Sequence, residues 1–155
     1  MKDVNYVIVH SKPGIAHPVF TVVAQQWLDE HEDNTHESLM DRLEITDGKI
    51  MHKSELPSHS YFPMETWELN DGKPVISKVK AIDHHVVQLK AKRKAKLEEL
   101  DVAHLIALGK KDDAAMTLIE GKKQALRDFP PTALAELAQM PNLSRIATYL
   151  PDAFK

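Results

Sequence analysis

Two hydrophobic rhythms divide this chain. Up to residue 76 the apolar positions come in short runs and alternations broken by turn residues; from residue 77 they recur every three or four positions. The first pattern predicts a small α+β unit over 1–76. The second predicts a helical hairpin with short C-terminal helices over 77–155, giving an α+β chain of two parts. Within the first part, Asn5-Tyr6-Val7-Ile8-Val9-His10 is β-branched and aromatic and predicts a strand. Ser11-Lys12-Pro13-Gly14 predicts a turn. Pro18 suits the first turn of a helix, with Phe20, Val23, Ala24, Trp27 and Leu28 along its apolar face.

Asn34-Thr35-His36-Glu37 has the form of a capping box, opening a short helix that carries Leu39, Met40 and Leu43. Leu43-Glu44-Ile45 reads almost as well as a strand, joined through Asp47-Gly48 to Lys49-Ile50-Met51. A second hairpin signal, Asn70-Asp71-Gly72, separates Thr66-Trp67-Glu68-Leu69 from Pro74-Val75-Ile76; Pro74 places that strand at an edge. Leu56-Pro57, Ser58-His59-Ser60 and Phe62-Pro63 mark the loop between them. Trp27, Trp67, Met40, Met51 and Met64 fit core or hairpin anchors.

Ser77 is positioned to cap a helix whose seam is Val79, Ile82, Val86 and Leu89. Arg93 interrupts the seam and Leu97 and Leu100 resume it. Asp101 is expected to cap a separate helix ending at Gly109, and Asp112 or Asp113 to open the next. Ala115, Leu118, Ile119, Leu126 and Phe129 give that helix an apolar side, with Gly121 as a weak point. Pro130-Pro131 is expected to stop it. Thr132 would then cap Ala133–Met140, and Leu143–Leu150 would form a last amphipathic piece after Pro141-Asn142.

Composition narrows the function classes. The 155 residues are 43% apolar, enough for a core, and include no cysteine, which removes disulfides, thiolate catalysis and cysteine zinc sites. No apolar run reaches the roughly 18 residues of a membrane helix, so no membrane partner is expected. Met1-Lys2-Asp3-Val4 does not open a secretory signal. The net charge of −3 conceals a polarity. Residues 1–76 hold six Lys/Arg against 13 Asp/Glu, whereas 77–128 hold 12 against eight. Such polarity steers association with copies or partners, although a solvated helix face accounts for it equally.

No catalytic, cofactor or metal site is expected. His31 and His36 are five apart, His84 and His85 diverge on a helix, and His10, His17, His52, His59 and His104 lack short-range partners. There is no Gly-x-Ser-x-Gly elbow, and the five glycines are scattered. Lys90-Ala91-Lys92-Arg93-Lys94-Ala95-Lys96 puts five cations in seven residues, but on a helix they point all round and no aromatics interleave. Nucleic-acid binding through 90–96 therefore stands as an alternative behind a protein–protein role.

Gln88-Leu89-Lys90-Ala91-Lys92-Arg93-Lys94-Ala95-Lys96-Leu97-Glu98-Glu99-Leu100-Asp101, taken with Lys122-Lys123-Gln124-Ala125-Leu126-Arg127-Asp128-Phe129-Pro130, resembles the C-terminal segment of bacteriophage tail assembly chaperones and tail-fibre assembly proteins. Trp67–Val75 resembles the short hairpin often found upstream, so the resemblance spans about residues 66–131. It differs at Val102, where the family often has Trp, and in the two helical pieces after the prolines. The resemblance implies a non-enzymatic tail or tail-fibre structural or assembly protein, in the virion or in host cytoplasm during assembly. It would act without cofactor on other phage tail or fibre proteins or on its own copies. The residues expected to carry the contacts are Arg93 and Lys96 on the basic helix and Arg127, Asp128 and Phe129 at the end of the hairpin. An internal alternative has Arg127 pairing with an acidic residue of the facing helix and Phe129 closing the hairpin core.

Overall fold

The computed structural model describes residues 1–57 and 61–154, so the expected loop tripeptide Ser58-His59-Ser60 lies outside the described residues. The fold is α+β: two small antiparallel sheets, then two long helices in a hairpin and short C-terminal helices. The chain divides into two compact units, Met1–Lys80 and Ala81–Lys155.

In the first unit, β1 (Tyr6–Lys12) is the centre of a three-stranded sheet, flanked antiparallel by β2 (Ile15–Val22) and β3 (Lys49–His52). The helix expected from Pro18 is instead β2, and helix α1 is short, Gln25–Glu30. The reason is local. The Pro13-Gly14 turn, with Gly14 at φ 82°, folds the chain straight back onto β1. Pro18 then falls between the pairs His10↔Val19 and Lys12↔Ile15, where the register shifts, and so removes no ladder bond from a regular stretch.

Helix α2 (His36–Arg42) is capped by Thr35, not Asn34: the Thr35 hydroxyl accepts from Ser38 N–H and the Ser38 hydroxyl accepts from Thr35 N–H. Asn34 is buried and donates to the Trp27 carbonyl instead. Leu43–Ile45 forms a turn, with Glu44 at φ 55°, so Asp47-Gly48 joins no hairpin and β3 pairs with β1. Gly48 is there for space: a Cβ would lie 2.6 Å from methyl carbons of both Ile45 and Met40. The Asn70-Asp71-Gly72 hairpin is present, between β4 (Trp67–Asn70) and β5 (Lys73–Ile76), with Asp71 and Gly72 at φ 51° and 71°.

Val7, Val9 and Met51 form the core of this sheet with Phe20, Leu56 and Leu69 against them. Trp67 is fully buried and meets Phe20 edge-on, ring centroids 5.5 Å apart. Trp27 is half-buried beneath the Arg42 guanidinium, and Met64 is exposed.

The second unit is built on α3 (Lys78–Lys110) and α4 (Asp113–Gln139). Helix α3 runs unbroken for about 50 Å at 1.5 Å per residue. Asp101 caps nothing: it sits mid-helix among good helix formers and pairs across to Lys123 of α4. Gly109 does not end α3 either. Lys111 takes the left-handed conformation at φ 56°, with Lys111 N–H donating to Leu108 and Asp112 N–H to Ala107, the Schellman closure. Asp112 then caps α4 by accepting from Ala115 N–H.

The packed stripe of α3 is Ala81, His85, Leu89, Leu100 and Ala107. Leu89 and Leu100 are expected seam residues; Ala81 and His85 are buried one step before the expected Ile82 and Val86, which are half-buried, and Val79 is exposed. On α4, Leu126 and Phe129 are buried whereas Leu118 is exposed.

Pro130 and Pro131 lie inside α4, which continues to Gln139, so Thr132 is an interior residue and no cap. Two amide donors are lost there, yet the buried side chains Leu126, Phe129, Ala133 and Leu137 follow three- and four-residue steps across the prolines, and this common face carries the helix through. Helix α5 (Leu143–Thr148), capped by Asn142, and a 3₁₀ turn at Asp152–Phe154 complete the unit.

Candidate functional site

The helical unit holds the five residues expected to make contacts; it brings Arg93 and Phe129 together and gives Lys96, Arg127 and Asp128 partners of their own. Phe129 is only 8% exposed and joins Leu89 and Ala133 in the core, with Phe154 edge-on at 5.0 Å between centroids. Arg93 reaches back over the Phe129 ring, its Cζ 5.8 Å from the centroid, a cation–π contact. These two therefore meet within the hairpin. Lys96 lies outside, paired with Glu99 one turn on at 3.0 Å. Asp128 accepts from Gln124 at 2.8 Å. Arg127 sits 4.0 Å from Glu120 of its own helix, not on an acidic residue of the facing helix, where Asp101 pairs with Lys123.

Lys123 is the residue the sequence reading passed over. It is buried, yet its ammonium reaches Asp101 at 2.8 Å and Glu120 at 3.0 Å, and Glu120 also accepts from His104 at 2.9 Å. Those hydrogen bonds hold the Asp101 and Glu120 carboxyls below their ordinary values and raise Lys123 above its own. The cluster clamps α3 to α4. Its signal in sequence is an Asp on one helix and a Glu-x-x-Lys on the next, which gives no register until the hairpin is closed.

Around the C-terminal 3₁₀ turn the surface opens into two depressions. The larger, about 560 Å³, has a floor of Leu100, Leu118, Ala125, Leu126 and Phe154, with Lys96 and Lys122 at its rim. Leu118 is 62% exposed there. Gly121 lines the same groove, and a Cβ at this position would meet nothing within 4 Å. The second, about 460 Å³, is bordered by Asp128, Phe129, Glu136 and Tyr149. The Tyr149 hydroxyl donates to Glu136 at 2.6 Å; burial and that carboxylate push the phenol well above its ordinary pKa. These surfaces offer apolar floor and rim charge, the chemistry of docking a protein segment.

The first unit carries a cavity of about 660 Å³ beside His10, Ser11, Thr21 and Asp47. The grouping has the residue types of a hydrolase but not the connections. The Ser11 hydroxyl donates to Asp47, not to the imidazole, and lowers the Asp47 pKa. His10 is held by the Ser11 carbonyl at 2.8 Å and by the Thr21 hydroxyl at 3.1 Å. No relay from carboxylate through imidazole to serine exists in that arrangement. His36, fully buried, has its ring nitrogens 2.8 Å from the Met1 carbonyl and 3.3 Å from the Tyr6 carbonyl, which makes it a structural link.

Among the described residues, no group of three His, Cys, Asp or Glu side chains is placed to hold a metal ion, and no helix is long and apolar enough to cross a membrane. The run 90–96 presents its cations in different directions: Arg93 turns inward over Phe129 and Lys96 pairs with Glu99. Compared with known proteins, the chain matches no family model, no curated protein and no solved structure.

Proposed function

We propose that this chain is a non-enzymatic bacteriophage tail or tail-fibre-associated structural or assembly protein that works by binding other proteins through its helical unit. The observation that carries the binding role is the apolar groove between Leu100 on α3, Leu118 and Leu126 on α4 and Phe154, open to solvent and lined also by Lys96, Lys122 and Asp152. A groove of this kind accepts an apolar segment whose flanking charges match its lysines and Asp152. The tail assignment rests on the likeness of residues 66–131 to tail assembly proteins. Residence in the virion and release after assembly are two forms of the same reading.

Co-purification tests it. The tagged chain, expressed in cells producing the source particles, is expected to bring down a tail or fibre protein, and Leu118→Asp is expected to lose it. Leu118 is exposed, so that variant keeps the fold. Recovery of nucleic acid in place of protein, with binding that falls steeply as salt rises, would refute the proposal.

A further inference from the structure

Helix α3 has a second stripe, on the side away from its hairpin packing. Val87, Ala91, Lys94, Glu98 and Leu105 are all exposed and step along the helix by four, three, four and seven. The residues that pack within the hairpin, Leu89, Leu100 and Ala107, belong to a different stripe. Val87 is 64% and Leu105 67% exposed, far from the partial cover that a helix flank beside a core receives. The stripe is apolar at both ends and charged in the middle, one cation and one anion.

That order is its own complement when reversed. Laid antiparallel about residue 96, two copies put Val87 against Leu105 and Lys94 against Glu98, and twofold symmetry repeats both pairs. Ala91 then lies opposite position 101, where Asp101 is held to the hairpin side by Lys123 of α4, and Leu108, also exposed, lies opposite His84 at the far end. A parallel pairing would instead set Lys94 on Lys94 and Glu98 on Glu98. We infer that a second copy of this chain docks on this face of α3, antiparallel, with the Lys94–Glu98 pairs fixing orientation and register. Polar pairs inside an otherwise apolar seam act in this way in coiled coils, at some cost in affinity. The inference stands on α3 alone and is independent of the tail reading.

Absence of cysteine from the chain makes a direct test possible. Full-length Val87→Cys and Leu105→Cys variants are mixed and oxidised mildly. The expected product is a 87–105 dimer in the mixture, with several-fold less cross-linking of either variant alone. Self-cross-linking of each variant would mean a parallel pair. No cross-linking, with a monomer by sedimentation equilibrium, would leave the stripe to another protein. Either result overturns the inference. A charge exchange gives an independent reading. Lys94→Glu and Glu98→Lys, each checked for unchanged helical circular dichroism, are expected to weaken the dimer at least ~10-fold, and the double exchange to restore most of it. Singles without effect, or a double no better than the singles, would also overturn it.

Discussion

Replacing Pro131 with Ala should stabilise the protein. In a helix interior a proline costs about 3 kcal/mol relative to alanine, because its amide hydrogen is gone and its ring abuts the carbonyl four residues back. Pro130 and Pro131 together therefore cost α4 about 6 kcal/mol. Against this stand Leu126, Phe129 and Leu137, all buried on one face, each worth roughly 1.5–3 kcal/mol. The terms are of the same size, which is how α4 can run through two prolines. Pro131→Ala removes one penalty and leaves the buried face intact. Freedom regained by the unfolded chain returns about 0.4–1 kcal/mol, so the net gain expected is about 2 kcal/mol. Urea unfolding followed by far-ultraviolet circular dichroism measures it. Thr132→Ala, inside the helix, should change stability little. If instead Pro131→Ala is neutral or harmful while Thr132→Ala costs about 1 kcal/mol, as loss of an N-cap does, then a new helix begins at the prolines and the continuity of α4 is wrong.

Gly121→Ala should add about 1 kcal/mol, since it is an interior helix position with open space where the Cβ would stand; a loss of stability by urea titration would show a hidden contact. Lys111→Gly should also stabilise, by roughly 1 kcal/mol, because Lys111 holds a left-handed backbone at the end of α3. His85 is buried and donates to the Tyr149 carbonyl at 2.9 Å; burial lowers its pKa. A depressed folded pKa means that the unfolded chain takes up the proton first as pH falls. Stability from the neutral imidazole is thus present above about pH 6.5 and declines below it. Urea midpoints at neutral pH and about one to two units lower should show this decline, and His85→Gln should flatten it.

What the sequence made legible follows the strength of local chemistry. The Asn70-Asp71-Gly72 hairpin was readable because two successive left-handed residues are something few sequences supply. The start of α4 was readable to within one residue, Asp112 or Asp113, because a carboxylate ahead of a helix accepts from its free amides, as Asp112 does from Ala115. The helix expected at Pro18 was not there, because Phe20 and Val23 satisfy either period and only pairing with β1 decides between them. The breaks expected at Asp101, Gly109 and Pro130 failed for a different reason. Each is a local preference of a few kcal/mol or less, and the hairpin contacts at Leu89, Lys123 and Leu137 outweigh it. The groove was invisible in sequence because its floor gathers Leu100, Leu126 and Phe154 from three distant segments. Arg93 and Phe129 were singled out for a partner, and their geometry unites them inside the hairpin.

Quantitative mass spectrometry with lysine cross-linking, applied to purified source particles and to their assembly intermediates, tests the proposed role most directly. The account predicts this chain in at least one of the two fractions, with cross-links from Lys96 or Lys122 at the groove rim to a tail or fibre protein. Its absence from both fractions, or its presence with no such cross-link, would contradict the account.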